Sequence, residues 1–224
     1  MSRIATIPSF FRFAPLRSIF TYLLIALALL ALTTALIEPN EVGTAETRVF
    51  EAVNALPPMA FPVLWGPMQF GNVVAIPTLA LAALMFRHLR LSAGILLAGL
   101  TCWYLAREIK EIVGRGRPAA FISDTILHGA PSSGFGYVSG HAAVAFALAT
   151  VLHPYLSRRW RVVAWGLAGV VGFARVYVGA HLPLDVVGGA ALGCAVGLVM
   201  LLIVEPWRGD EIEEEDEDSI TIQV

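Results

Sequence analysis

Six apolar runs divide the chain when charged and Pro/Gly-rich stretches are taken as punctuation: 18–37, 68–86, 91–113, 139–157, 162–180 and 184–204. Each approaches the ~20 residues that a helix needs to cross a hydrocarbon core. The pattern predicts an all-α polytopic membrane protein with six transmembrane helices. Residues 38–67 break it, because Glu38, Glu41, Glu46 and Glu51 are followed by Pro57, Pro58, Pro62 and Pro67. On that charged background Val49, Phe50, Val53 and Leu56 recur at helical spacing. They predict an amphipathic helix over 44–56, lying on the outer interface between the first and second spans. The stretch 57–67 reads as a wedge or re-entrant piece. The domain organisation that follows is a basic N-terminus over 1–17, one membrane domain over 18–208, and an acidic, solvated tail over 209–224.

Composition agrees with the pattern. Hydrophobic residues make up 57% of the 224, charged residues only 14%, and the mean hydropathy is +0.73; an ordinary soluble domain is more polar than this. The first apolar run follows Arg3, Arg12 and Arg17 but exceeds the roughly 7–15 residues of a signal-peptide core, so it reads as a span. Cys102 and Cys194 each lie inside an apolar run, where a thiol behaves as a small hydrophobe, and suggest neither a disulfide framework nor a metal site.

The formal net charge of -2 conceals an asymmetry, since eight of the seventeen acids fall between Asp210 and Asp218. The remainder is net basic, and Lys110 is its single lysine among fourteen arginines. Short basic connections at Arg87, His88 and Arg90, and at Arg158, Arg159 and Arg161, join the basic N-terminus in indicating the cytoplasmic side. Six crossings return the C-terminus to the same side, which makes this a multi-pass cell-membrane protein with both termini cytoplasmic. Arg48, Arg107, Lys110, Arg115, Arg117 and Arg175 then fall on the opposite side. Ionisable groups at or near membrane depth are costly, so each calls for a partner or a task.

Glu111 is four residues from both Arg107 and Arg115 and can pair with them along a helix, so these two are expected to be structural. Lys110 and Arg117 are seven residues apart, which puts them on one face if the helix continues that far, while Gly114, Gly116 and Pro118 predict that it ends about there; neither has an acidic partner along that face. They are free to bind an anion. A second cluster opens the fourth run: Ser139 suits an N-cap, and Gly140 allows close approach to the first-turn N–H groups beside His141. Alone, that is ordinary helix capping. The third cluster is Arg175, His181 and Asp185, with Pro183 suited to a first helical turn. Asp185 can reach back to one imidazole nitrogen of His181, fixing the tautomer and making the other nitrogen more nucleophilic. Because outward-running helices end in the cations and inward-running helices begin with the histidine turns, all three clusters land on one membrane face.

The ordered motifs Lys110-x6-Arg117-Pro118, Ser139-Gly140-His141 and Arg175-x5-His181-x3-Asp185 resemble the type 2 phosphatidic acid phosphatase family, over about residues 70–204. That family shares its site with glucose-6-phosphatase and the vanadium haloperoxidases. The resemblance implies that His181 attacks phosphorus and becomes phosphorylated, oriented by Asp185. It implies that His141 protonates the leaving group and then activates water. Lys110, Arg117, Arg175, Ser139 and the Gly140 N–H would hold the phosphoryl oxygens. Two positions depart from the family pattern: Val138 stands where proline is usual, and Ala174 where a serine usually precedes the arginine. The first alters the entry geometry of its loop, and the second removes one phosphate hydrogen bond.

These readings imply a metal-independent lipid phosphate phosphatase with an extracytoplasmic site. No cofactor is expected, since the sequence lacks a carboxylate cluster suited to magnesium. Its partners would be the bilayer and a lipid phosphate of the polyprenyl diphosphate, phosphatidylglycerophosphate or phosphatidic acid class. No nucleic acid is expected, and the oligomeric state is left open. The alternatives are a phosphotransferase using the same phosphohistidine, or a non-catalytic anion-binding or transport protein. His88, His128 and His153 are expected in solvated or interfacial roles.

Overall fold

The computed structural model describes residues 16–38 and 40–204. Among these the chain forms eight α-helices and no strand: α1 (Leu16–Ala35), α2 (Thr44–Asn54), α3 (Ala60–Met68), α4 (Ala75–Met85), α5 (Leu89–Val113), α6 (Gly140–Leu152), α7 (Arg158–Tyr177) and α8 (Pro183–Val204). The first fifteen residues and the acidic tail, for which expectations were stated above, lie outside the described residues.

Three of these helices, α1, α5 and α8, are long and apolar enough to cross a membrane, and a bent pair makes a fourth candidate. The bent pair corrects the expected second span. Instead of one helix over 68–86, α3 and its short 3-10 extension through Gly71 meet α4 at 66°. Asn72 makes the corner, its Oδ1 accepting from the Val74 amide at 3.1 Å. A side-chain acceptor of this kind substitutes for the helical bonds that the break removes. The stretch expected to be a wedge or a re-entrant piece is mostly helix α3, the first arm of this bent pair. Of the other expected spans, α6 has only 13 residues, and α7 carries Arg158, Arg159 and Arg161 in its first turn.

Helix α2 forms where the periodicity placed it, and it buries one edge against the rest of the chain. Phe50 is buried beside Val176 and Leu182. The buried Asn54 side chain donates to the carbonyls of Ile126 (2.9 Å) and Tyr177 (2.8 Å) and accepts from the Ile126 amide (2.8 Å). One amide thus satisfies three backbone groups and ties α2 to both the 119–138 loop and the end of α7.

The centre of the molecule is the contact between α6 and α8. Gly189, Gly193 and Gly197 recur every four residues on α8, and each faces α6. A Cβ at Gly189 would lie 2.4 Å from Ser139 O, at Gly193 2.3 Å from Ala143 O, and at Gly197 2.7 Å from Thr150 Cβ. Small residues at this spacing let two helix backbones approach closely, as is common where lipid removes the hydrophobic drive for helices to associate. The approach sets the start of α6 against the start of α8. Tyr137 packs behind them, its hydroxyl within 2.9 Å of Thr33 Oγ1 and 2.8 Å of Thr34 Oγ1 on α1.

Replacing Gly193 with valine is expected to lower stability by ~1–3 kcal/mol, the usual range for overpacking a tight contact. Gly166→Ala, at a position with open space around it, is expected to be neutral or slightly stabilising because alanine is the better helix former. Thermal midpoints in detergent measure both.

Candidate functional site

Four helix ends carry the site. Lys110 lies in the last turn of α5, and Gly114 ends that helix in the left-handed conformation that glycine adopts without strain (φ 67°). Arg115 and Arg117 follow in the connecting segment. Ser139 caps α6, its Oγ accepting from the Ala142 amide at 3.5 Å. Gly140 and His141 form the first turn, where backbone N–H groups have no intrahelical acceptor. Arg175 stands in the last turn of α7, and Asp185 in the first turn of α8, which begins at Pro183 as expected.

Asp185 joins these ends. It is fully buried. Its Oδ1 accepts from Arg115 Nη1 at 2.9 Å, and its Oδ2 accepts from the Leu182 amide at 2.9 Å. Oδ2 also lies 3.6 Å from His181 Nδ1, so the carboxylate faces the imidazole that it was expected to orient. Its backbone carbonyl accepts from the Ser139 amide at 2.8 Å. The 135–136 backbone closes over this group: the Gly136 amide donates to Arg115 O at 2.7 Å. A Cβ on Gly136 would lie 2.7 Å from Asp185 Oδ2, so only glycine lets the loop pass there.

The three cations expected to bind an anion have neutral partners. Lys110 Nζ donates to Gly136 O at 3.1 Å, Arg117 Nη1 to Ala180 O at 3.0 Å, and Arg175 Nη1 to Met68 Sδ at 3.2 Å. The buried Nε atoms of Arg115, Arg117 and Arg175, like His181 Nδ1, have no hydrogen-bond partner. Among the described residues none of the three forms an ion pair. His181 is buried in their midst. Burial pushes its pKa well below the ordinary value of 6.5, and Lys110, Arg175, Arg117 and His141 push it the same way. Its imidazole is therefore neutral at neutral pH, with a lone pair available.

Arg115 corrects the sequence expectation. It does not pair with Glu111 along the helix; the chain turns at Gly114 and carries it into the interior, where its side chain is 1% exposed. There it forks onto Glu46 of α2, with Nη2 on Oε2 and Nη1 3.2 Å from Oε1, while Nη1 also reaches Asp185. Nothing local in the sequence pointed to Glu46, which is 69 residues away.

Met68 and Gly71 were also missed. Both belong to the bent pair, Met68 touching Arg175, and Gly71 lying where a Cβ would be 2.6 Å from His141 O. His128 is half-buried, its ring stacked on Tyr177 (centroids 4.7 Å apart) and on Phe61 (6.0 Å). His153 accepts from Trp165 Nε1 at 3.0 Å. A cavity of about 490 Å³ lies beside the Arg115–Glu46 pair, and none of the expected site residues lines it.

The His181 environment predicts a titration. In 15N-histidine spectra of the detergent-solubilised protein, the resonance lost in His181→Asn is expected to stay that of neutral imidazole as pH falls through 6.5. A midpoint at or above 6.5 would contradict the burial and charge argument.

Residues 87–208 match the model of the PAP2 superfamily. An undecaprenyl-diphosphatase of Sulfolobus acidocaldarius is 29% identical over 142 residues, which span 63% of this chain and 68% of that protein. A lipid A 4'-phosphatase of Bacteroides thetaiotaomicron is 37% identical over 38% of this chain and 40% of its own length. Among solved structures, Aquifex aeolicus LpxE superposes with a TM-score of 0.67 at 24% identity, covering 74% of this chain and 99% of the other. A transmembrane PAP2-type phosphatidylglycerolphosphate phosphatase from Bacillus subtilis superposes with a TM-score of 0.63 at 24% identity, covering 86% and 98%. These two share the fold, and with three helices of spanning length they mark the chain as a membrane protein. By its matched segment, which takes in all three motifs, the chain belongs to the PAP2 superfamily, and its homologues there are phosphatases.

Proposed function

We propose that the chain hydrolyses a phosphomonoester or diphosphate carried on a lipid, through a phosphohistidine on His181. The observation that carries this reading is the group of three cations without carboxylate partners, Lys110, Arg117 and Arg175, around a neutral histidine backed by Asp185. Phosphoryl transfer needs mainly positioning and charge stabilisation, and such a group supplies both.

In the first step the His181 Nε2 lone pair forms a bond to phosphorus as the bond to the leaving oxygen breaks. Cationic His141, protonated once the bound phosphate's negative charge offsets that of Lys110, Arg117 and Arg175, gives that oxygen a proton and becomes neutral, and Asp185 holds the Nδ1–H of the His181 ring as it gains positive charge. In the second step neutral His141 takes a proton from water, the water oxygen attacks phosphorus, and the P–N bond breaks to return His181 and release phosphate. Lys110, Arg117, Arg175, the Ser139 hydroxyl and the first-turn amides of α6 hold the non-bridging oxygens. The relatives are named for undecaprenyl diphosphate, lipid A and phosphatidylglycerophosphate. These share a phosphate on an apolar anchor, which supports a lipid phosphate as the substrate class.

His181→Ala is expected to lower phosphate release from a panel of lipid phosphates in detergent by at least ~10²-fold, the scale on which catalytic groups act. Activity surviving that change would favour an anion-transport reading of the same cations. Transfer of the phosphoryl group to an added acceptor without phosphate release would favour phosphotransfer.

The site is proposed to face away from the cytoplasm, on the strength of the basic connections at Arg87–Arg90 and Arg158–Arg161. A tag in the 119–138 loop is expected to be labelled from outside intact cells. Labelling only after the inner side is opened would reverse the orientation.

A further inference from the structure

The Arg115–Glu46 pair has no part in the mechanism above, although Arg115 touches Asp185. Three buried charges stand in a row: the Glu46 carboxylate, 8% exposed, the Arg115 guanidinium, 1%, and the Asp185 carboxylate, fully buried. Arg115 Nη1 serves both acids, 3.2 Å from Glu46 Oε1 and 2.9 Å from Asp185 Oδ1. Glu46 Oε1 also accepts from the Leu184 amide at 2.8 Å, one residue before Asp185. Glu46 lies on α2, outside the segment that matches the family model.

Charge decides what this row does. An arginine paired with Asp185 alone would make a neutral couple, and the carboxylate would give much of its hydrogen-bonding strength to the guanidinium. The second carboxylate engages the other face of the same fork, in the bidentate geometry that arginine favours. The row then carries a net charge of -1, directed at His181 from behind. As Nε2 bonds to phosphorus the ring becomes cationic, and a net anion behind Nδ1 stabilises that state more than a neutral couple would.

We propose that Glu46 is a positioning residue for the His181 nucleophile, acting through Arg115 and Asp185 by keeping Asp185 oriented and the row anionic. This rests on the reading of His181 as the nucleophile.

The test uses the full chain in detergent with a lipid phosphate that the wild type hydrolyses. Glu46→Gln keeps the size and one acceptor but removes the charge. It is expected to lower kcat about ten-fold, a change of one logarithmic unit in the barrier relation, with KM within about two-fold and a matching fall in the single-turnover rate of phosphoenzyme formation. Because Glu46 acts through Asp185, the same substitution in an Asp185→Asn background is expected to change kcat less than about two-fold. A single variant with kcat within two-fold of wild type overturns the inference. So does an equal ten-fold loss in the Asn background, or a smaller monodisperse fraction in gel filtration that accounts for the loss, since either marks a structural role. If Glu46→Gln does not fold, Arg115→Lys replaces it. Lysine keeps the charge but cannot fork onto both acids, and the same loss, again absent with Asp185→Asn, is expected. His181→Ala separates the two levels: activity that survives it sinks the reading of the site itself. If His181→Ala is inactive and Glu46→Gln is normal, only the role of Glu46 fails.

Discussion

Asp185 is the residue on which the site depends. Its two side-chain oxygens and its carbonyl contact Arg115, Leu182, His181 and Ser139, so the segments bearing all three motifs meet at one buried residue. An unpaired carboxylate at that depth would be costly, and the cost is offset only if every segment is in place. The requirement therefore works in both directions. The fold satisfies the carboxylate, and the carboxylate holds the ends of α6 and α8 and the 114–117 segment in register. The α6–α8 backbone contact through Gly189 and Gly193 makes this possible by setting Ser139 within 2.8 Å of the Asp185 carbonyl.

Around that satisfied acid lies a deliberate imbalance. Arg115 reaches two carboxylates, yet Lys110 and Arg117 rest on backbone carbonyls and Arg175 on a thioether, partners too weak to neutralise them. In a low-dielectric setting this leaves a net positive field around His181. The arginines differ in the number of acids they reach: among the described residues Arg115 meets two, while Arg117 and Arg175 meet none. The bent pair of α3 and α4 closes the remaining side, with Met68 against Arg175 and Gly71 against His141. A straight second span would not bring both residues to the site.

Much of this was legible in the chain. Apolar runs of spanning length, the amphipathic period in 44–56, proline at the start of α8 and a glycine stop after Lys110 are local signals, and local backbone energetics decides them. The motif residues could be ordered onto one face because helix direction alternates from span to span. Lys110, Arg117 and Arg175 could be singled out because the search was for charges lacking a partner nearby in sequence.

That same search fails where the partner is distant. Arg115 looked paired with Glu111 because both fit one helical face, but Gly114 ends the helix between them, and Glu46 lies 69 residues away. The break at Asn72 was likewise hidden within a continuous apolar run, since apolarity measures burial in lipid or protein and not the direction of the axis. The sequence by itself determined most of the helical segments, which ends carry cations, and which residues form the three motifs. The tertiary structure alone decided which charges neutralise one another and which stay open, because that depends on distances of a few ångströms between segments that no local pattern encodes.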